Sequence, residues 1–257
     1  MNNLAFIHRG SRTARMLIDE TQIPRWGRGV RADFIINYGV AGDHWRRWVS
    51  NNRLGRTKPM LNAPHGMNKF EVIKHVEENE YKVPLTFRQL DRIHAPEAFL
   101  VKPFFSQQGR GIERAESRYA PSGKYFQEFI EDRVYELRVH AFRWVPQSEW
   151  VVQKRVAGED QEDAITWNHH TGGTFITVND TSQRVFEDAQ AMANAVLHRL
   201  NMAFGGVDFV VSASRDVYFI EVNSAVGCCG LSDPIYVDAF NRLKYVDRQE
   251  VEGYATA

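Results

Sequence analysis

Two apolar runs near the C-terminal end, "GGVDFVVS" (205–212) and "VYFIEVN" (217–223), are separated only by "ASRD". Their length and their β-branched and aromatic content predict a strand hairpin. Each run also carries an acid where a buried strand should be apolar. A lone buried carboxylate is costly unless something compensates it. If Ser214 and Arg215 form a two-residue turn, Asp208 lies directly opposite Glu221. Asn223, two residues further on, falls on the face of Glu221, because side chains alternate along a strand. Like charges facing each other across a ladder are unfavourable unless a cation lies between them. Asp208, Glu221 and Asn223 offer only oxygen donors to such an ion, a set suited to Mg²⁺, which completes its shell with phosphates and water. One carboxylate can bridge two such ions. The plain alternative is a surface hairpin whose acids face solvent.

Composition narrows the partners. Lysine plus arginine equals aspartate plus glutamate, 32 each, so the formal net charge is zero and no global basic field recruits nucleic acid. The two cysteines, Cys228 and Cys229, are adjacent and read as free thiols in a reducing compartment. The start, "MNNLAFIHRG", reads as a first strand and not as a signal peptide. No stretch approaches the roughly 20 apolar residues a membrane helix needs. A soluble, cytoplasmic protein is expected.

The remaining pattern predicts α+β. "LAFIH" (4–8) and "ADFIINYGV" (32–40) read as strands around a short helix at 13–20, an α/β start. Residues 68–79 read as a helix, with Asn68 and Glu71 in a capping pattern and Phe70, Ile73 and Val76 at helical spacing. "EAFLVKPF", "KYFQEFI", "VYELRVHAFRW" and "EWVVQKRVA" read as strands, and 182–202 as an amphipathic helix. Many strands in long hairpins argue for mostly antiparallel sheets after the first segment.

Several basic and glycine-containing segments suit phosphate. Lys102 ends an apolar strand and is followed by "SQQGRG" (106–111). Glycines such as Gly109 and Gly111 let backbone N–H groups close around phosphate oxygens. No Gly-Lys-Ser/Thr opens a helix, so this is not a P-loop. Lys69 begins the helix at 68–79. Arg138 and Arg155 lie inside strands, where they neutralise either an acid or a phosphate.

In this order the motifs resemble the ATP-grasp superfamily, most closely its peptide and amino-acid ligases of the ribosomal S6 modification and glutathione synthetase type, over roughly 59–238. The resemblance implies an ATP-grasp fold, two α+β subdomains gripping ATP. It divides the chain into a reduced N-terminal α/β segment (1–58), a subdomain with the glycine-rich loop (59–130), a subdomain with the metal hairpin (131–245) and a tail (246–257). Lys69, Lys102, Gln107, Gln108, Gly109 and Gly111 would contact phosphates. "YFQEFI" would line the base through Gln127, Glu128, Phe129 and Ile130, with Glu136 near the ribose in place of the usual aspartate. Arg138, Arg155 and Asn168, the last in "WNHHTGGT" with Gly172 and Gly173, would serve catalysis. Asp208, Glu221 and Asn223 would hold two Mg²⁺ ions, with Mn²⁺ as a substitute. The implied activity is ATP-dependent C–N ligation: a carboxylate is converted to an acyl phosphate, an amine of an amino acid, peptide or protein terminus displaces the phosphate, and ADP and phosphate leave.

Two rival readings remain at this level. One is an ATP-grasp kinase that makes a phosphorylated small molecule. The other is a nucleic-acid-binding protein that uses "WRRWVSNNRLGRTK" (45–58), with Trp45 and Trp48 as stacking platforms. Against it, the same stretch reads as a helix with core tryptophans. His169 and His170 are adjacent and lack further ligand spacing, so a zinc site has no support.

Overall fold

The computed structural model describes residues 1–51, 58–64, 66–105, 110–158, 164–167, 173–227 and 232–256. The chain begins with a parallel sheet. Strand β1 (Leu4–His8) pairs with β2 (Phe34–Tyr38), and β2 with β3 (Met60–Leu61). Helix α1 (Arg12–Thr21) connects β1 to β2, and α2 (Gly42–Asn51) follows β2. Ser11 caps α1 by accepting a hydrogen bond from the Ala14 N–H at 3.1 Å. Trp45 and Trp48 of α2 stack on each other, 5.4 Å apart, and pack with Trp26 on Ile7, Ile35, Val40 and Met60. Both rings are therefore partly taken up by a small core.

Helix α3 (Lys69–Glu77) has the expected capping box, with Asn68 and Glu71 each accepting from the other's backbone N–H. A second sheet, in the order β4-β7-β5-β6, comprises β4 (Thr86–Phe87), β5 (Phe99–Pro103), β6 (Glu113–Arg114) and β7 (Lys124–Glu128). The third sheet is antiparallel, in the order β10-β9-β8-β11-β12. Its strands are β8 (Arg133–Phe142), β9 (Val151–Val156), β10 (Thr174–Thr177), β11 (Phe204–Ser212) and β12 (Val217–Asn223). Helix α4 (Arg184–Arg199) packs its Val185, Ala189, Met192 and Val196 stripe on β8 and β11.

Helix α5 (Asp233–Leu243) is not among the predicted elements, although Tyr236, Phe240 and Leu243 recur at helical spacing and are buried. Residues 246–257, read as a tail, instead hold helix α6 (Arg248–Tyr254) and strand β13 (Ala255–Thr256), which pairs with β3. One hydrophobic core runs through the first sheet, the third sheet and the C-terminal helices. Phe6, Tyr38, Phe142, Phe204, Tyr236 and Phe240 meet in it, with ring centroids as close as 4.9 Å.

The β11–β12 hairpin departs from expectation at its turn. Ser212 accepts from the Arg215 N–H at 2.9 Å and donates its own N–H to the Asp216 carbonyl at 3.1 Å. Arg215 is left-handed, at φ 66°. Ala213–Arg215 is thus a three-residue loop, not a two-residue one. The Ser212, Ser214 and Asp216 side chains favour it, bonding to one another and to the Asp216 N–H. The longer loop shifts the register by one, so Phe209 faces Phe219; a bulge between Asp208 and Phe209 removes the shift. Asp208 consequently faces Glu221, as predicted, but for a different local reason.

The first sheet is keyed to the exit of this hairpin. The Tyr38 hydroxyl donates to the Val226 carbonyl at 2.6 Å. The buried Asn62 side chain accepts from the Ala203 N–H at 2.7 Å and donates to the Phe204 carbonyl at 2.8 Å. Gly39 is left-handed, at φ 79°, and a Cβ there would lie 2.4 Å from the Cβ of Ala225. Gly39→Ala should therefore destabilise the protein by about 1–3 kcal/mol, from overpacking and backbone strain together. Denaturant unfolding of Gly39→Ala and of Gly39→Ala/Ala225→Gly checks this. The second glycine should restore the packing share and leave the backbone share.

Candidate active site

One face of the third sheet carries nearly every polar side chain singled out in its strands. Antiparallel register places Phe175, Arg155, Glu136 and Val210 in one row across β10, β9, β8 and β11. The next row is Thr177, Gln153, Arg138, Asp208 and Glu221. The third contains His140, Gly206 and Asn223. The opposite face, with Leu137, Val139, Ala141 and Val207, is buried in the core. A strand of period two can serve both purposes only in this way, with acids and bases on one side and a hydrophobic floor on the other.

Ion pairs hold the rows. Arg138 grips Asp208 with two bonds, Nε to Oδ1 at 2.6 Å and Nη2 to Oδ2 at 2.7 Å. Glu221 pairs with Lys69, which arrives from the first turn of α3, and accepts from the Asn223 amide at 3.0 Å. Glu136 pairs with Arg155 and lies 3.6 Å from Arg133. The Phe175 ring lies within 5.3 Å of the Arg138 guanidinium and 5.0 Å of that of Arg155. The expected strain between facing carboxylates is absent, because Arg138 and Lys69 compensate them. His140, with Gln153 at 2.9 Å and Tyr236 at 3.3 Å, is a core histidine whose pKa burial pushes down to about 4.

The second sheet faces these rows and supplies Lys102. Its ammonium is buried and donates to Gln127 Oε1 at 2.6 Å. Burial lowers its pKa, Glu221 and Glu136 oppose that, Lys69 adds to it, and the result is about 8. For Glu221 burial acts upward, but Lys69, Asn223 and Lys102 outweigh it and hold the carboxyl at about 2. Burial likewise works against the charged form of Arg138, and Asp208 more than restores it, so its pKa is raised. Tyr125, buried on β7, has a hydroxyl without a partner among the described residues; burial first and Glu221 second raise its pKa.

Between the two sheets lies an open cleft. Lys69, Lys102, Gln127, Glu128, Phe129, Ile130, Glu136, Arg155, Asp208 and Glu221 line it. Arg138 and Asn223 bond directly to its acids. Gly111, at φ 73°, is not part of the lining; it turns the chain against Pro103, one residue before Ile112, which is. Gln107, Gln108, Gly109 and Asn168 lie outside the described residues, as do Gly172, His169, His170, Cys228 and Cys229. Three carboxylates, of Glu136, Asp208 and Glu221, meet five cations, of Lys69, Lys102, Arg133, Arg138 and Arg155. The surplus suits an anionic ligand.

Sequence reasoning missed Arg133. It donates to the Ala164 and Ile165 carbonyls and sits over Phe129 and Trp167. Burial lowers its pKa. Its position just after an acidic connector gave no hint of burial. Also missed were Leu100, Ile112, Ile165 and Ile220, the apolar walls of the cleft, and Phe175. Among the described residues no three or more His, Cys, Asp and Glu side chains are grouped closely enough to hold a metal ion by themselves.

A family model described as an ATP-grasp domain matches residues 67–227, which include every cleft residue named above. The chain belongs to the ATP-grasp family. Solved ATP-grasp structures share the fold at low identity. The ATP-grasp ligase PsnB complexed with a minimal precursor is 11% identical, with 93% of this chain and 99% of that chain covered at a TM-score of 0.62. D-alanine–D-alanine ligase from Bacillus anthracis, complexed with ATP, is 13% identical over 97% and 96%, with a TM-score of 0.62. The macrocyclase MdnC, bound with precursor peptide MdnA from Microcystis aeruginosa MRC, is 10% identical over 95% and 99%, with a TM-score of 0.59. No curated protein matches the sequence.

Lys102 makes the stability of this ATP-grasp protein pH-dependent. Below pH 8 it is protonated in the native and unfolded chain alike, and its desolvation cost is fully present. From about 8 to the ordinary value of 10.5 only the unfolded chain keeps the proton. The cost therefore fades across that window, by about 3 kcal/mol in all. Urea unfolding between pH 7 and 10.5 should show this rise in the wild type relative to Lys102→Met, in which it is missing.

Proposed function

We propose that the chain is an ATP- and Mg²⁺-dependent carboxylate–amine ligase acting on an amino acid, peptide or protein terminus. The observation that carries the reading is the set of two facing carboxylates, each held by a protein cation, opposite a buried lysine in one cleft. Residues 59–130 and 131–245 would form the two halves of the grip. PsnB and MdnC were solved with precursor peptides and the D-alanine–D-alanine ligase with ATP, which favours these ligands here.

The donor set fits a hard cation. Asp208 and Glu221 supply carboxylates, and rotation of the Asn223 amide offers its oxygen in place of the nitrogen now facing them. When bound, Mg²⁺ would supply neutralisation of phosphate charge. Lys69 then has a phosphate to exchange for Glu221, while Lys102 stays anchored by Gln127. The apolar walls at Leu100, Ile112, Phe129 and Ile165 suit a base, and Glu136 the neighbouring sugar. In the first step an oxygen of the substrate carboxylate attacks the terminal phosphorus of ATP, the phosphoanhydride bond breaks, and ADP leaves with its electrons. In the second, the amine nitrogen attacks the acyl carbon, phosphate departs with the C–O electron pair, and the amine loses a proton to solvent. Both steps need positioning and charge neutralisation more than a protein nucleophile. Arg138 and Arg155, braced by Asp208, Glu136 and Phe175, provide that for the transferred phosphoryl group and the acyl oxygen.

ADP and phosphate release with pools of amino acids and peptides should require Mg²⁺ and a free amine, and Glu221→Gln should lower it at least about 100-fold. Unchanged turnover in that variant would overturn the metal assignment, and a stable phosphorylated product without amine would make the protein a kinase. Nucleotide affinity should fall as pH rises above about 8, where Lys102 loses its proton in the free protein. Calorimetry in two buffers of different ionisation enthalpy should detect proton uptake on ADP binding in that range.

A further inference from the structure

Residues 1–58 hold eleven arginine and lysine side chains against four acids, Asp19, Glu20, Asp33 and Asp43, in a chain of zero total charge. Arg9, Arg12, Arg15, Arg25, Arg28 and Arg31 are exposed, and none is paired to a carboxylate among the described residues. Uncompensated arginines at this density are unfavourable to one another unless they serve an anion.

Part of this charge converges on the end of β1. The His8 Nδ1 accepts from the Gly10 N–H at 2.9 Å, which leaves the proton of the neutral ring on Nε2. That Nε2 is shut off from solvent and has no partner among the described residues. Arg15 folds back over the same turn and donates to the Gly10 carbonyl at 3.0 Å. Arg25 is brought to the same strand by its backbone, which bridges to Phe6, two residues before His8. Burial, and then the fields of Arg25 and Arg15, push the His8 pKa down.

The place matters as much as the charge. His8 pairs in register with Tyr38, and Tyr38 holds the Val226 carbonyl, three residues past Asn223. Neighbouring strands lie about 4.8 Å apart. The cluster thus lies one strand from Tyr38, whose hydroxyl reaches the chain where it leaves the acid-bearing hairpin.

We propose that Arg15 and Arg25, at the end of β1 where His8 is half-buried, with Arg9 and Arg12 next in the chain, form a carboxylate-binding subsite that holds an acidic peptide substrate against the cleft. The word substrate rests on the ligase reading; binding at the subsite does not. Guanidiniums match carboxylates with paired, charge-assisted bonds. A nucleic acid fits less well. Single strands need aromatic platforms, and apart from Met1 no large hydrophobic side chain among the described residues of this segment is exposed.

Fluorescence anisotropy on the full chain tests the assignment with dye-labelled octaglutamate, amidated at its C-terminus. Octaglutamate should bind and amidated octaglutamine should not. Arg15→Gln/Arg25→Gln should weaken octaglutamate binding about tenfold or more, and Arg9→Gln/Arg12→Gln, at the flanking positions, about threefold. Thermal melts of both variants verify folding. If octaglutamine binds only with a free C-terminus, and the first variant abolishes that, the subsite takes a terminal carboxylate and the assignment stands. Equal binding of the amidated peptides overturns it, as does indifference to both double variants. Oligonucleotide binding with the same sensitivity and no peptide binding also overturns it. A protein that binds octaglutamate yet never releases ADP with any amine refutes the ligase reading and leaves the subsite in place.

Discussion

The Arg138 guanidinium holds both oxygens of Asp208 across neighbouring strands, at 2.6 and 2.7 Å, and the polar face of the third sheet is organised around that grip. Without it Asp208 would face Glu221 with no countercharge of its own. Leaving one member of a buried pair alone costs roughly 3–5 kcal/mol. With it, Lys69 is free to serve Glu221, and Arg155 to serve Glu136. The result is a chain of alternating charges that a ligand can enter by exchanging partners, with no bare carboxylate to desolvate.

Lys102 differs from the other cations. Its bonded partner is the neutral Gln127 amide, and the nearest carboxylates influence it only through their fields. It is the group whose charge a phosphate would gain most by meeting, and also the one that most penalises the ligand-free fold. Stability lost at a site in exchange for a pre-placed charge is common where binding matters. The first sheet completes the arrangement from behind. Tyr38, Gly39 and Asn62 fix the segments that flank the β11–β12 hairpin, so the acids have a rigid support.

Much of this was legible in the sequence. Period-two patterning assigned Glu221 and Asn223 to one face, the Asn68–Glu71 pair located the start of α3 and therefore Lys69, and the apolar run before Lys102 marked a buried strand end. Local rules sufficed because each signal lies within a few residues of the group it positions. The turn shows where such rules stop. "ASRD" is compatible with several loops, and the predicted pairing survived only because a bulge cancelled the extra loop residue.

By itself the sequence determined which residues could carry charge into a core, on which strand face each would lie, and that their order matches an ATP-grasp chain. Only the tertiary structure decided which charges meet. Arg138 chooses Asp208 across 70 residues and Lys69 chooses Glu221 across 152. The burial of Arg133 and the Phe175 ring over two arginines are of the same kind. Coulombic and cation–π contacts depend on distances between elements far apart in the chain, and those distances come from packing, not from local pattern.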